Sequence, residues 1–166
     1  NTVYISNLTL KQGLSTSNGA GILNAGTLTL DSVCITQCGS SSSNGGAIYN
    51  IGKLTLNNCK LTKNRGSNGG ALYNTDTLFI NNCLISLNTG DSGGGLYNTG
   101  SFAYARIANS ILSLNGSGTH GGGVCNFDSA RLQVSHSQLI QNSASEQGGG
   151  LYISQVASAS LTQTVI

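Results

Sequence analysis

The chain has 166 residues, of which 7% are charged and 38% are hydrophobic, and its formal net charge is +2. So small a net charge does not favour nucleic acid as a partner, and no apolar run is long enough to insert into a membrane. Gly, Ser, Thr and Asn fill the polar positions, but the regular spacing of the hydrophobic residues argues against disorder. The length predicts one domain with its own core. Because the chain begins with Asn1 and lacks Met, we expect a processed protein or a fragment.

In chain order, two sequence blocks alternate. The first is strand-like, with apolar and polar residues in alternation, and it is interrupted by one extra residue, Asn57 or Asn58 in the third copy, which suits a corner or bulge. Its copies are VYISNLTLKQG from Val3, TLTLDSVCITQC (27–38), KLTLNNCKLTKN (53–64), TLFINNCLISLN (77–88), YARIANSILSLN (104–115), RLQVSHSQLIQN (131–142) and ASLTQTVI ending at Ile166.

The second block is a glycine turn followed by a short strand. Its copies start 24 to 28 residues apart and read NGAGILN (18–24), NGGAIYN (44–50), NGGALYN (68–74), SGGGLYN (92–98), HGGGVCN (120–126) and QGGGLYI (147–153).

The segment GDSGG at residues 90–94 matches the surroundings of the nucleophilic serine in trypsin-like proteases. Here it is one copy of the repeated glycine turn. Both histidines, His120 and His136, follow Ser92 in the chain, whereas the catalytic histidine of those proteases precedes the serine. The repeat therefore disfavours a protease.

Short strands that recur with this period, and no helical period between them, predict a solenoid whose coils bury their apolar faces by stacking. We predict an all-β fold, a right-handed parallel β-helix of about six coils of 24–28 residues, as a single domain over residues 1–166. Each coil should hold about three strands.

Equivalent residues should then stack in columns about 4.8 Å apart. The aliphatic columns should form the core. Stacked amides should satisfy turn backbone in two asparagine ladders, and a tyrosine column should face outward as a possible surface contact. The asparagines are Asn50, Asn74, Asn98 and Asn126, preceded by Asn24, and Asn64, Asn88, Asn115 and Asn142; the tyrosines are Tyr49, Tyr73, Tyr97 and Tyr152.

These repeats resemble those of chlamydial polymorphic outer-membrane proteins, which carry GGA[ILV] and FxxN motifs. The first motif occurs here as GGAI (45–48) and GGAL (69–72) and then as GGGL, GGGV and GGGL; the second occurs as LTKN (61–64), ISLN, LSLN and LIQN. Leu or Ile replaces the Phe throughout. The resemblance implies a secreted, cell-surface β-helical passenger, often adhesive.

We see no caps at either end of the predicted solenoid, and its first and last strands share a register. We therefore expect either a piece of a longer β-helix with flanking coils, or a protomer that pairs end to end with copies of itself into a filament. The residues expected to pair are Val3, Ile5, Leu8, Leu10, Leu161, Val165 and Ile166.

Parallel β-helices also include polysaccharide lyases and hydrolases, which need clustered acids. The acids here are scattered: Asp31, Asp76, Asp91, Asp128 and Glu146. Asp91 and Glu146 come closest, two coils or roughly 10 Å apart. We predict neither a catalytic site nor a cofactor or metal site.

The other polar and reactive residues give weaker signals. Cys59 and Cys83 share an inward column within disulfide reach, but we favour buried free thiols; the state of Cys34, Cys38 and Cys125 stays open. Lys53, Lys60, Lys63 and Arg65 cluster on one coil, as solvated charges or a weak site for an anionic glycan. Asn7 and Asn115 begin sequons.

The sequence therefore predicts a non-catalytic extracellular structural protein, a unit of an adhesin or of a self-assembling fibre. Two alternatives stay open. One is a binding module for glycan or host protein through the tyrosine column. The other is a polysaccharide-active enzyme that uses Asp91 and Glu146.

Overall fold

The structure is a computed structural model that describes residues 2–39 and 42–166. The chain winds through six coils and begins a seventh. The strands of coils 1 to 3 are β1 (Thr2–Ser6), β2 (Thr9–Lys11), β3 (Ile22–Asn24); β4 (Thr27–Asp31), β5 (Cys34–Thr36), β6 (Ile48–Asn50); and β7 (Lys53–Asn57), β8 (Lys60–Thr62), β9 (Leu72–Asn74).

Coils 4 to 6 each gain a fourth, two-residue strand. Their strands are β10 (Thr77–Asn81), β11 (Leu84–Ser86), β12 (Thr89–Gly90), β13 (Leu96–Thr99); β14 (Tyr104–Ala108), β15 (Ile111–Ser113), β16 (Gly116–Ser117), β17 (Val124–Phe127); and β18 (Arg131–Ser135), β19 (Gln138–Ile140), β20 (Ser143–Ala144), β21 (Leu151–Ile153), followed by β22 (Ser158–Thr162). In the described part of the chain, no helix is long and apolar enough to cross a membrane.

Equivalent strands of successive coils pair in parallel and form three long sheets. The first sheet is β1-β4-β7-β10-β14-β18-β22, the second is β2-β5-β8-β11-β15-β19, and the third is β3-β6-β9-β13-β17-β21. A fourth, short sheet is β12-β16-β20. This topology confirms the predicted parallel β-helix of about six coils.

The core consists of aliphatic columns between the sheets. In the first sheet Leu30, Leu56 and Ile80 lie in register, and all three are fully buried. The second and third sheets place Leu61 and Leu72 in columns of the same kind. Alternation along each strand directs one face inward, so consecutive coils extend one continuous core.

The corners between sheets depend on residues with left-handed backbone. Asn58 (φ 53°) turns the chain from the first sheet into the second, and Lys63 (φ 58°) turns it out of the second. The sequence predicted the first of these corners at Asn57 or Asn58, and the structure assigns it to Asn58.

Two consecutive glycines shape the turn before the third sheet. Gly69 has φ +67°, a region that glycine tolerates best. Gly70 needs no special φ, but a Cβ there would lie 2.4 Å from the carbonyl oxygen of Thr89. The glycine turn is therefore set by backbone conformation at one position and by close packing at the next.

Candidate functional site

The first asparagine ladder runs along the inner side of the third sheet. Its side chains are buried, and in each step Nδ2 donates 2.7 Å to Oδ1 of the asparagine in the next coil, from Asn24 through Asn50, Asn74 and Asn98 to Asn126. The same Nδ2 groups also bond to backbone carbonyls, for example from Asn50 to Gly52 at 2.7 Å. These amides hold the turn after the third sheet and present no free group to solvent.

The second ladder lies after the second sheet and has a different pattern. Oδ1 of Asn88 accepts both the backbone N–H (2.9 Å) and Nδ2 (3.0 Å) of Asn64. Asn115 and Asn142 continue this double contact. Asn115 is 1% exposed and its Nδ2 donates to Ile85 O at 2.9 Å, so its sequon does not offer an amide for glycosylation in the folded chain.

The tyrosine column is a stack of rings. Tyr49 and Tyr73 have ring centroids 4.9 Å apart, and Tyr73 and Tyr97 lie 5.3 Å apart, with interplanar angles of 17° and 19°. Phe127 extends the stack beyond Tyr97 at 6.0 Å. Burial raises the pKa of Tyr73 and Tyr97. Because the ring faces cover one another, the stack offers ring edges and hydroxyls to a partner rather than open aromatic faces.

Tyr152 lies apart from that stack. Cys125 occupies the position between Tyr97 and Tyr152 in the third sheet. The ring of Tyr152 instead contacts His120 edge-on, with centroids 4.5 Å apart. Nε2 of His120 lies 3.7 Å from Oε2 of Glu146. The sequence analysis did not predict this His120–Glu146 contact. The available signal was that Glu146 precedes Gln147, which pairs with His120 in the adjacent coil.

The segment GDSGG has none of the bonds of a catalytic triad in the described part of the chain. Ser92 and His120 lie in adjacent coils, since Gly93 N–H donates to His120 O at 2.9 Å. The hydroxyl of Ser92, however, bonds to Thr119 Oγ1 at 2.5 Å. Oδ2 of Asp91 accepts from the hydroxyl of Ser67 at 3.0 Å. Serine, histidine and acid are thus engaged with other partners.

The acids stay dispersed. Asp31 accepts hydrogen bonds from Asn58, Tyr4 and Ser32, and these bonds, that of Asn58 first, lower the pKa of its carboxyl group. Asp128 accepts from Thr99 at 2.8 Å. Across residues 2–39 and 42–166, no three His, Cys, Asp or Glu side chains come together in a way that could hold a metal ion.

Asp91 and Glu146 are separated by a whole coil. Thr119 N–H donates to the carbonyl of Asp91, and Glu146 N–H donates to that of Thr119. Two coil spacings amount to roughly 10 Å, which is longer than the carboxylate separation of about 5 to 9.5 Å in glycosidases. An open pocket of about 310 Å³ lined by Arg65, Gly66, Thr89, Gly90 and Asp91 contains a single acid, Asp91, and not the pair that a glycosidase needs.

All five cysteines lie among the described residues and carry free thiols. Cys59 and Cys83 are 1% and 4% exposed. Sγ of Cys83 accepts from Cys59 N–H at 3.3 Å and lies 3.1 Å from Asn81 O. The hydrogen bond with Cys59 and burial raise the pKa of Cys83. Ser110 and Ser137 make the equivalent contacts in the next coils, so these thiols are hydrogen-bonding groups as well as apolar ones.

The four basic residues of coil 3 do not form one patch. Lys53 is on the first sheet, with Nζ 5.9 Å from the ring centroid of Phe79. Lys60 is on the second sheet, and Lys63 is at the corner after it. The backbone of Arg65 forms isolated parallel β-bridges with Gly39 and Thr89. Lys53 therefore lies on a different sheet from Lys60 and Lys63, which share the second-sheet side of the coil.

The residues predicted to pair end to end lie at the two edges of the solenoid. They include apolar side chains of the core columns that no neighbouring coil covers in this chain. Their exposed fractions are 50% for Val3, 37% for Leu8, 38% for Leu161, 58% for Val165 and 60% for Ile166, while Ile5 and Leu10 are partly buried.

The model of the right-handed β-helix region matches residues 1–166. The chain belongs to the right-handed β-helix family. No curated protein and no solved structure matches it. Membership in this family fixes the handedness of the coils and is compatible with a structural or a binding role.

Proposed function

We propose that this chain is a non-catalytic structural unit of an extracellular β-helix, of the kind that forms the rod of a surface adhesin or fibre. The observation that carries this proposal is the continuity of the ladders. Buried amides bond to one another from coil to coil in both asparagine columns. Repeating contacts of this kind stiffen a rod along its axis.

The dispersal of the acids supports the non-catalytic part. A general acid and a second carboxylate must flank one bond of a bound sugar, and Asp91 and Glu146 each have a separate local partner, Ser67 and His120. The test is an assay of the chain against a panel of acidic and neutral polysaccharides. Cleavage that is lost in both Asp91→Asn and Glu146→Gln would overturn the proposal.

The secreted, surface location is supported by the resemblance of the repeats to those of chlamydial surface passengers. Immunolabelling of intact and permeabilised source cells tests it. Labelling of intact cells is expected, and labelling only after permeabilisation would contradict it.

A second candidate is a module that binds glycan or host protein through the tyrosine column. The half-exposed edges and hydroxyls of Tyr49 and Tyr73 favour it. The stacked faces weigh against sugars, which bind to open aromatic faces. A glycan array compares the chain with Tyr49→Ala/Tyr73→Ala, and binding lost only in the variant would support this candidate.

Pairing through the coil edges is the proposed mode of assembly with further coils or further copies. Its support is the shared register of β1 and β22, which lie at opposite edges of one sheet. Electron microscopy at neutral pH is the test. Pairing of copies predicts that the wild-type chain forms filaments and that neither Ile5→Asp nor Leu161→Asp does. It also predicts that an equimolar mixture of the two variants forms only short oligomers, because each variant keeps one intact edge. A wild-type chain without filaments would leave flanking coils as the partner.

A further inference from the structure

Four aliphatic side chains form an outward patch on the second sheet of coils 4 and 5. Leu84 and Ile111 lie side by side on β11 and β15, and Leu87 and Leu114 occupy the corner that follows. Ile111, Leu87 and Leu114 are 40%, 45% and 49% exposed, and Leu84 is partly buried. We call these four residues the aliphatic patch. Clustered apolar exposure of this kind marks an interaction surface.

The neighbouring coils place polar residues at the same positions. In coil 3 they are Lys60 and Lys63, and in coil 6 they are Gln138 and Gln141, all of them exposed. The change to aliphatic residues therefore occurs in both columns and in the same two coils. Coil packing does not require it, because the flanking coils have the same fold with polar side chains.

The two corner leucines have a backbone conformation that leucine rarely adopts. Leu87 has φ 59° and Leu114 has φ 55°. The left-handed region costs an L-residue about 1 kcal/mol or more, and a leucine has no polar group to offset that cost by a local hydrogen bond. The other coils place Gln12, Gln37, Lys63 and Gln141 at this corner.

We propose that the aliphatic patch is a lateral dimerisation surface and that its occupant is the same patch of a second copy. The two-fold axis lies parallel to the strands, midway between β11 and β15. This axis places Leu84 on the partner subunit's Ile111 and Leu87 on the partner subunit's Leu114. The small side chains of Ser86 and Ser113 lie between the two columns and permit close approach.

The charge pattern selects this orientation. With the axis parallel to the strands, Lys60 faces the partner subunit's Gln138 and Lys63 faces the partner subunit's Gln141. With the axis along the solenoid instead, Lys60 would face the partner subunit's Lys63 twice. Like charges across an interface are strongly unfavourable. The two rods therefore lie side by side with opposite polarity.

The size of the surface sets the strength of the dimer. With this axis the second-sheet strands of coils 3 to 6 face one another, and strands of three residues in four coils give a face of roughly 200 Å² at about 3.3 Å per residue and about 4.8 Å per strand. Stable interfaces bury about 800 Å² per partner. We therefore expect a weak, concentration-dependent dimer. The inference goes beyond the proposed function, which does not depend on lateral contacts and stands if they fail.

Sedimentation velocity over a concentration series up to about 500 μM tests the dimer, in a range that detects weak association. A monomer–dimer equilibrium is expected. Filaments formed through coil edges would give an open series of larger species instead, so the two modes are distinguishable. Leu87→Gln/Leu114→Gln introduces the residue that coils 1, 2 and 6 carry at this corner and should fold normally. We expect it to weaken the dimer about ten-fold or more.

Gln138→Glu/Gln141→Glu tests the orientation, because each new carboxylate would face a lysine of the other copy. We expect dimerisation to tighten several-fold at low salt and this gain to disappear at high salt, as for exposed charge pairs. A purely monomeric wild-type chain, or a dimer unchanged by Leu87→Gln/Leu114→Gln, would overturn the proposal. Weaker dimerisation of the glutamate variant would overturn the orientation.

Discussion

Asn74 donates a 2.7 Å hydrogen bond to Oδ1 of Asn98, and both side chains are fully buried. Asn74 also accepts one of the same length from Asn50 and donates to Asp76 O. One side chain thus joins three coils and fixes the turn that leads back to the first sheet. The ladder is structural because each amide already has its partners, and its loss should affect folding rather than ligand binding.

We therefore expect Asn74→Ala to destabilise the chain by about 3 kcal/mol, because an amide of Asn50 and a carbonyl of Asn98 lose buried partners. Chemical denaturation followed by circular dichroism measures this. Asn81→Ala is the control, since Asn81 makes one half-buried bond to Asn57 and should cost less than about 1 kcal/mol. Equal losses would contradict a special role for the buried ladder.

A second prediction concerns close packing at the glycine turn. A methyl group at residue 70 would lie 2.4 Å from Thr89 O and 2.5 Å from Gly94 O. Because backbone cannot move away cheaply, Gly70→Ala should cost about 3 kcal/mol or more. Gly26→Ala is the matched control, since its Cβ would meet nothing within 4 Å. Thermal unfolding compares them, and equal midpoints would refute the packing argument.

The alignment of repeats predicted the columns well, for a physical reason. In a solenoid the coil repeat decides which residues become neighbours, so Leu30, Leu56 and Ile80 could be placed together without coordinates. The same reasoning predicted asparagine stacks, and the structure places those side chains in hydrogen-bonded ladders.

The alignment could not predict how side chains are oriented within a column or which side chains of different columns are in contact. The rings of Tyr49 and Tyr73 stack on each other, which alternation alone does not reveal. His120 is in register with Gln147 but contacts Glu146, the residue before it, so the contact is a diagonal one between two columns. Leu87 is exposed at a corner where its backbone is in the left-handed region. Residue preferences do not predict this conformation, since leucine rarely adopts it.

A third prediction separates two roles of the buried thiols. If Cys83 serves as a hydrogen-bonding group, Cys83→Ser should stay within about 1 kcal/mol of wild type, because Ser110 already fills this role one coil later. Cys83→Ala should cost about 1 to 3 kcal/mol, since Cys59 N–H loses its acceptor. Urea denaturation of both variants measures the difference. A serine variant less stable than the alanine variant would show that the site is purely apolar.

The last prediction concerns alkaline pH. Burial raises the pKa of Cys125 to about 12, whereas a solvated thiol titrates at about 8.5. Between these values the unfolded chain releases the proton that the folded chain retains, so the free energy of unfolding falls as pH rises. The contribution is complete below about pH 8.5 and is lost towards pH 12. The raised pKa values of Tyr73 and Tyr97 act in the same direction at higher pH.

Urea denaturation at several values between pH 7 and 11 measures this slope. Cys125→Ala should reduce it by the thiol part and by a smaller share of the tyrosine part, because burial first and then the charge of Cys125 raise the pKa of Tyr97 beside it. Tyr97→Phe should remove the contribution of Tyr97 and keep those of the thiol and of Tyr73. If the wild type and Cys125→Ala lose stability equally between pH 8.5 and 10, the thiol does not remain protonated in the fold. The alkaline response would then have to come from Tyr73, Tyr97 and Cys83, whose pKa values are also raised.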